Sequence, residues 1–214
     1  MQRSRLLQLA LPLVREHGFT REALARSVLC LPEPHPEPLS DPTVSVLFGE
    51  GNSARRTLIT AWLDEGRMSM RKQPSTSVKD VLGNRLRYNE PVLPLLPEAF
   101  ALLVSPTSGL PPLDVRPALR HTASIADEAC QIVGDASVGP SWYVRRASLA
   151  AIYSAAELHQ LTSPETAHAF LDSLLASATS IHNAVNETEI FSRSSSPKAG
   201  AHGMKNSLLA TPSR

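Results

Sequence analysis

The chain has 214 residues, 42% of them apolar, and its 21 basic and 20 acidic side chains leave a net charge near +1. That length makes one domain, or a small domain fused to a larger one, and the near-neutral charge argues against a polyanion as main partner. Two cysteines, Cys30 and Cys130, exclude a disulfide framework and read as buried reduced thiols, while the lack of any run of about 18 apolar residues excludes a membrane-spanning helix.

Apolar residues recur at helical spacing throughout and nothing alternates at period two for long, which predicts an all-α chain. Leu6, Leu7, Ala10, Leu13 and Val14 share one face of a first helix. Pro12 should kink or weaken it, and Gly18 should end it. Thr20 is placed to cap a short helix from about Arg21 to Cys30. Pro32, Pro34, Pro36, Pro38 and Pro42 then predict a loop over 31–43. Ser53 is expected to cap a helix burying Leu58, Ile59, Trp62 and Leu63. Further helices follow over Val78 to Leu86, over Leu96 to Leu103, and over Leu119 to Val133, where Gly134 stops the last.

The segment 142–161, WYVRRASLAAIYSAAELHQL, is the most informative stretch. Val144, Ala147, Ala151, Ala155 and Leu158 form one apolar stripe; Leu149, Ile152 and Ala156 form a second. A helix apolar on two sides needs a core on one flank and another partner on the other, and its alanines suit a close helix–helix approach, so a homodimer contact is expected. Ser163-Pro164-Glu165 starts the next helix, with a near-heptad stripe from Ala167 through Val185. From Phe191 onward Ser, Gly, Pro and Lys dominate, which predicts disorder. The expected division is a helix-turn-helix-like part over 1–66, larger helices over 67–190 and a disordered tail over 191–214.

Three chemistries can be weighed from these residues. Over 20–56 there are four cations (Arg21, Arg26, Arg55, Arg56) and five acids (Glu22, Glu33, Glu37, Asp41, Glu50). DNA binding needs a clustered basic surface, and prolines interrupt the segment where a reading helix would lie, so no nucleic-acid partner is expected. Di-iron bundles use paired Glu-x-x-His motifs, but only one stands here, Glu165 to His168. With no phosphate loop, zinc spacing or nucleophile elbow either, the chain reads as non-enzymatic and needs no cofactor or metal. Trp142 and Tyr143 beside Arg145 and Arg146 have the composition of an interface hot spot, although a tryptophan at a helix start is commonly half-buried core.

The same segment resembles the lipid-binding accessory protein of ubiquinone (coenzyme Q) biosynthesis, the ninth Coq protein family. The likeness rests on Trp142, Tyr143, Arg145, Arg146, Ala147, Leu149, Ala150, Ala151, Ile152, Tyr153, Glu157 and Leu158. It extends more weakly through Arg5, Phe48-Gly49-Glu50-Gly51, Arg85-Leu86-Arg87 and Ala126-Asp127-Glu128. The resemblance implies a TetR-like helical bundle with a vestigial N-terminal helix-turn-helix and a larger C-terminal helical part. It implies a homodimer on the matrix side of the mitochondrial inner membrane. No targeting segment is visible ahead of the first helix, so a targeting peptide is expected to have been removed or left out.

By the same resemblance Trp142, Tyr143, Arg146 and Asp127 dock the demethoxyubiquinone hydroxylase, with Arg145 a structural ion-pair former. The implied cargo is a hydrophobic lipid, a ubiquinone precursor or another isoprenoid or phospholipid. The aliphatic helices offer Leu82, Leu86, Leu96, Phe100, Leu103, Ile125 and Ala129 for it, in a pattern equally suited to a filled core. Family members continue into an amphipathic membrane helix; residues 187–214 show no such stripe, which argues against membrane contact by that route. The alternatives are a TetR-type ligand-responsive regulator and a purely structural helical dimer.

Overall fold

The computed structural model describes residues 2–73, 75–106 and 113–194, with side chains described as far as residue 180. Every regular element among the described residues is helical. In chain order these are α1 (Gln2–His17), α2 (Arg21–Arg26), α3 (Asp41–Phe48), α4 (Asn52–Ser69), α5 (Val78–Asn89), α6 (Leu96–Val104), α7 (Arg116–Ile132), α8 (Pro140–Thr162) and α9 (Ala167–Ser194). Single 3-10 turns join several of them, at Ser27–Cys30, Met70–Lys72, Glu90–Leu95 and Pro164–Thr166. No described helix is long and apolar enough to cross a membrane. The chain forms two compact units, Met1–Ala176 and Ser177–Arg214.

Local chemistry sets most of the boundaries. Gly18, at φ +68°, ends α1 by donating its N–H to Val14 O at 2.9 Å. The Thr20 hydroxyl accepts from the Ala23 N–H and so caps α2. Pro12 sits inside α1 without ending it. Gly134, at φ +70°, stops α7.

Four expectations need correction. A helix, α3, occupies 41–48, where the prolines predicted loop as far as 43. Pro42 takes its first turn, the one place in a helix where a missing N–H costs nothing. Ser53 does not cap α4; Gly51 holds that position at φ +49°. Ser53 lies in the first turn instead, and a Cβ on Gly49 would come within 2.9 Å of its own Cβ. Cys30 is exposed whereas Cys130 is buried, because the 3-10 turn at Ser27–Cys30 carries residue 30 off the face that α2 would have continued. Finally, α9 runs to Ser194, past the predicted onset of disorder at 191; residues 195–214 lie outside those described.

In Met1–Ala176 one apolar cluster joins α1 to α4 with α6, centred on Ala10, Val14, Leu24, Leu58, Ile59, Trp62 and Leu96. α5, α7 and α8 bury Leu82, Leu86, Ile125, Ala129, Ile152 and Tyr153. Glu128, on α7, is also buried and accepts from Arg67, at 2.8 Å, and from Arg71, which tie it to α4 and the turn that follows.

A second buried polar cluster holds α5, α7 and α8 together. The Glu157 carboxylate accepts from Tyr153 Oη at 2.8 Å, from Asn89 Nδ2 at 3.1 Å and from His121 Nε2 at 3.2 Å. Arg85 Nη1 donates to Asn89 Oδ1 at 2.5 Å, and Gln160 Nε2 donates to the Leu86 carbonyl at 2.9 Å. Burial alone would raise the Glu157 pKa, but the bonded His121 ring, the Arg85 charge and the Asn89 amide hold it down at about 2. Since that lies below the unfolded value, its stabilisation is complete above pH ~4.3 and is lost as pH falls through about 2. We expect Glu157→Gln to cost about 3 kcal/mol at neutral pH by leaving Arg85 buried opposite a neutral amide. In urea unfolding series, the gap between variant and parent should close between pH ~4.3 and ~2.

Candidate docking patch and apolar sites

The first turns of α8 carry the aromatic–cation cluster. Gly139, at φ +63°, and Pro140 open the helix, so Trp142, Tyr143, Arg145 and Arg146 fall within two turns of its start. The Trp142 and Tyr143 rings meet edge to face with centroids 4.7 Å apart. The Arg146 guanidinium lies 4.0 Å from the Trp142 ring centroid, a cation–π contact. Its Nε donates to Asp127 Oδ1 at 2.8 Å, and its Nη1 to Asp135 Oδ2 at 3.2 Å. The structure therefore brings Trp142, Tyr143, Arg146 and Asp127 together at one end of the α7–α8 hairpin. Trp142 is 36% exposed and Tyr143 70% exposed.

Asp135 was not singled out in the sequence, yet it organises this end. It sits in the α7–α8 loop with its side chain 5% exposed, within 3.4 Å of Arg145 and 3.2 Å of Arg146. The Ser137 hydroxyl donates to it at 2.6 Å; that bond first, then the Ser137 N–H and the two guanidinium charges, hold its carboxyl below the usual range. The available signal was an acid directly after the Gly134 stop, facing two arginines across a short loop. Arg145 does pair with this acid, the ion-pair role expected of it.

The seven aliphatic positions lie on α5 (Leu82, Leu86), α6 (Leu96, Phe100, Leu103) and α7 (Ile125, Ala129). Leu82, Leu86, Leu96, Ile125 and Ala129 are fully buried; Leu103 is buried too, and Phe100 is half-buried, its ring centroid 6.3 Å from that of His121. Leu96 and Leu103 belong to the cluster shared with α1–α4, with Phe100 packed against it. A cleft of about 1070 Å³ is lined instead by α1, α4 and α5, and none of the seven borders it.

Glu165 is exposed, and His168 Nε2 lies 3.7 Å from Glu90. Among the described residues, no group of three or more His, Cys, Asp or Glu is placed to hold a metal ion.

The COQ9 family model matches residues 115–182, which contain α7, α8 and the first part of α9. The mitochondrial ubiquinone biosynthesis protein COQ9 of Bos taurus is 29% identical over 167 residues, covering 72% of this chain and 49% of the relative. Its Homo sapiens counterpart is 29% identical over 168 residues, with the same shares covered. The protein of that name from Schizosaccharomyces pombe is 33% identical over 87 residues, 40% of this chain and 32% of the relative. The chain thus spans about half the length of the vertebrate relatives. The family match falls on the α7–α8 hairpin and the start of α9, and the relatives extend the likeness over most of the fold, so the chain is similar to the COQ9 proteins of ubiquinone biosynthesis.

Proposed function

We propose that the protein is a non-catalytic accessory protein of ubiquinone biosynthesis. It binds a polyprenyl quinone precursor and presents it, on the matrix side of the inner membrane, to the demethoxyubiquinone hydroxylase. The observation that carries this reading is the partly exposed Trp142 ring lying on Arg146, with Tyr143 edge-on to it and the guanidinium fixed by two carboxylates. Aromatic and arginine side chains held rigid on a surface are the composition of an interface anchor, and the ion pairs lower the entropy lost on docking. The cargo is nearly insoluble in water, which is why a carrier has work to do; each buried methylene contributes about 0.8 kcal/mol. Leu82, Leu86, Leu96, Phe100, Leu103, Ile125 and Ala129 supply the aliphatic surface for it, all but the half-buried Phe100 being buried in this structure.

Trp142→Ala is expected to weaken capture of the hydroxylase by about thirty-fold and to leave the melting temperature within a degree or two. Unfolding of the variant instead, at the roughly 3–5 kcal/mol of a truncated core tryptophan, would reject the docking reading. Lipid extraction followed by mass spectrometry tests the cargo: an isoprenoid or phospholipid is expected from the purified protein, and a lipid-free protein that takes up none counts against it.

We further infer a homodimer through the helices of residues 144–161 and 164–185, with the open face of α8 as its basis. Val144 and Leu158 are 65% and 59% exposed, and Ala147 and Ala151 between them are exposed too. This leaves an apolar stripe uncovered opposite the buried Leu149, Ile152 and Ala156. Ala151→Arg should yield monomer or insoluble protein in sedimentation; a parent chain that sediments as a monomer at micromolar concentration would sink the dimer.

A TetR-like ancestry with lost DNA binding fits the N-terminal charges. Arg21 pairs with Asp41, Arg26 with Glu22 and Arg55 with Glu98, and Arg56 donates to the Leu102 and Ser105 carbonyls. These guanidinium groups are already engaged, and phosphate contacts would have to break those bonds. No salt-sensitive shift of duplex DNA is expected at sub-micromolar protein, and observing one would favour the regulator.

A further inference from the structure

The cleft between α1, α4 and α5, about 1070 Å³, has the size of pockets that enclose whole small ligands. Leu11, Pro12 and Val92 give it carbon walls, and Trp62 and Tyr88 form an aromatic pair with ring centroids 4.8 Å apart. Three cations, Arg15, Lys72 and Arg87, line it against a single acid, Glu65. Lys72 already uses Glu65, at 3.0 Å. Arg87 bonds the neutral amide oxygen of Asn84 at 2.7 Å, and neither it nor Arg15 makes an ion pair among the described residues. The cleft therefore carries positive charge that its own lining does not balance.

A second observation concerns the aromatic wall of the cleft. Behind the aromatic pair lies Arg85, fully buried, its Cζ 5.8 Å from the Trp62 centroid and 5.4 Å from that of Tyr88. Its Nε and Nη2 have no hydrogen-bond partner. The packing is specified: a Cβ on Gly66 would lie 2.9 Å from the Tyr88 ring and 3.0 Å from Arg85 Cζ. Glu157, reached through Asn89, offsets the Arg85 charge, so Arg85 serves the cleft by fixing the aromatic wall, and the charge there comes from Arg15 and Arg87.

We propose that this cleft binds an amphiphilic anion, with an alkyl or aryl body against Leu11, Val92 and Tyr88 and a phosphate or carboxylate head group held by Arg15 and Arg87. The cations choose the charged end, and the carbon walls distinguish the ligand from a free inorganic anion. The site shares no residue with the Trp142 patch or the aliphatic positions of α5–α7, so it stands independently of the accessory reading.

The test is calorimetric titration of the full chain with dodecyl phosphate, dodecanoate, dodecanol and inorganic phosphate, each alkyl probe below its micelle concentration. One or both dodecyl anions should bind at least about tenfold more tightly than dodecanol, the preferred one identifying the head group, with no measurable heat from inorganic phosphate. Arg15→Glu/Arg87→Glu should weaken anion binding by about tenfold or more while dodecanol binding and the melting temperature stay put, both side chains being exposed. Equal affinity for dodecanol, inorganic phosphate binding as tightly as dodecyl phosphate, or an unchanged double variant would each overturn the proposal. Should the double variant fold poorly, Asn84→Trp fills the cleft from the exposed side of α5; it should abolish binding of all dodecyl probes, and retained binding refutes the site.

Discussion

Glu157 is a carboxylate buried where water cannot reach it, and the arrangement of α5, α7 and α8 follows from supplying it with donors. His121 comes from α7, Asn89 from α5 and Tyr153 from α8 itself. A charge in that position is stable only if all three helices keep their register, because loss of any donor exposes the full desolvation cost of the ion. Arg85 supplies the compensating charge through Asn89 rather than by direct contact. The cluster thus contributes specificity of packing as much as energy.

The same hairpin is closed at its other end by Arg146, bonded to Asp127 on α7 and to Asp135 in the loop. Clamping both ends fixes the rotation of α8 about its axis. One flank of the helix then buries Leu149, Ile152, Tyr153 and Ala156, while the flank bearing Val144, Ala147 and Ala151 stays open. The direction in which Trp142 and Tyr143 project is a consequence of that rotation. Patch and open stripe are two outcomes of one constraint.

The N-terminal part shows how a basic residue can be present yet unavailable. Arg21 and Arg55 reach across the sequence to Asp41 and Glu98, and each also donates to a backbone carbonyl, Gly49 and Phe19. These bonds hold α2, α3 and α4 as a compact support for α6. In contrast, Arg15 and Arg87 face a cleft without acids to match them. Location relative to partners, rather than the count of cations, separates the two sets.

Periodicity and local turn chemistry were enough to read from the sequence that the chain is helical, where α5 to α8 lie, and that Gly18, Thr20 and Gly134 mark boundaries, since each depends on residues within a few positions. The long Trp142–Leu158 run was legible for a similar reason: its residue order alone carried the resemblance. Helix α3 escaped because the prolines at 32–38 and Pro42 look alike in sequence, whereas only Pro42 falls at a helix start. Asp135 at the patch, His121 and Asn89 around Glu157, and Arg85 behind Trp62 and Tyr88 could not be read at all. Decisive partners lie far along the chain, 11 residues from Asp135 to Arg146 and 71 from Asn89 to Gln160, and a polar side chain declares its role only when folding brings the matching donor or acceptor to it. The aliphatic positions of α5–α7 show the remaining limit: leucines that line a cavity and leucines that fill a core obey the same periodicity, and only tertiary packing distinguishes them.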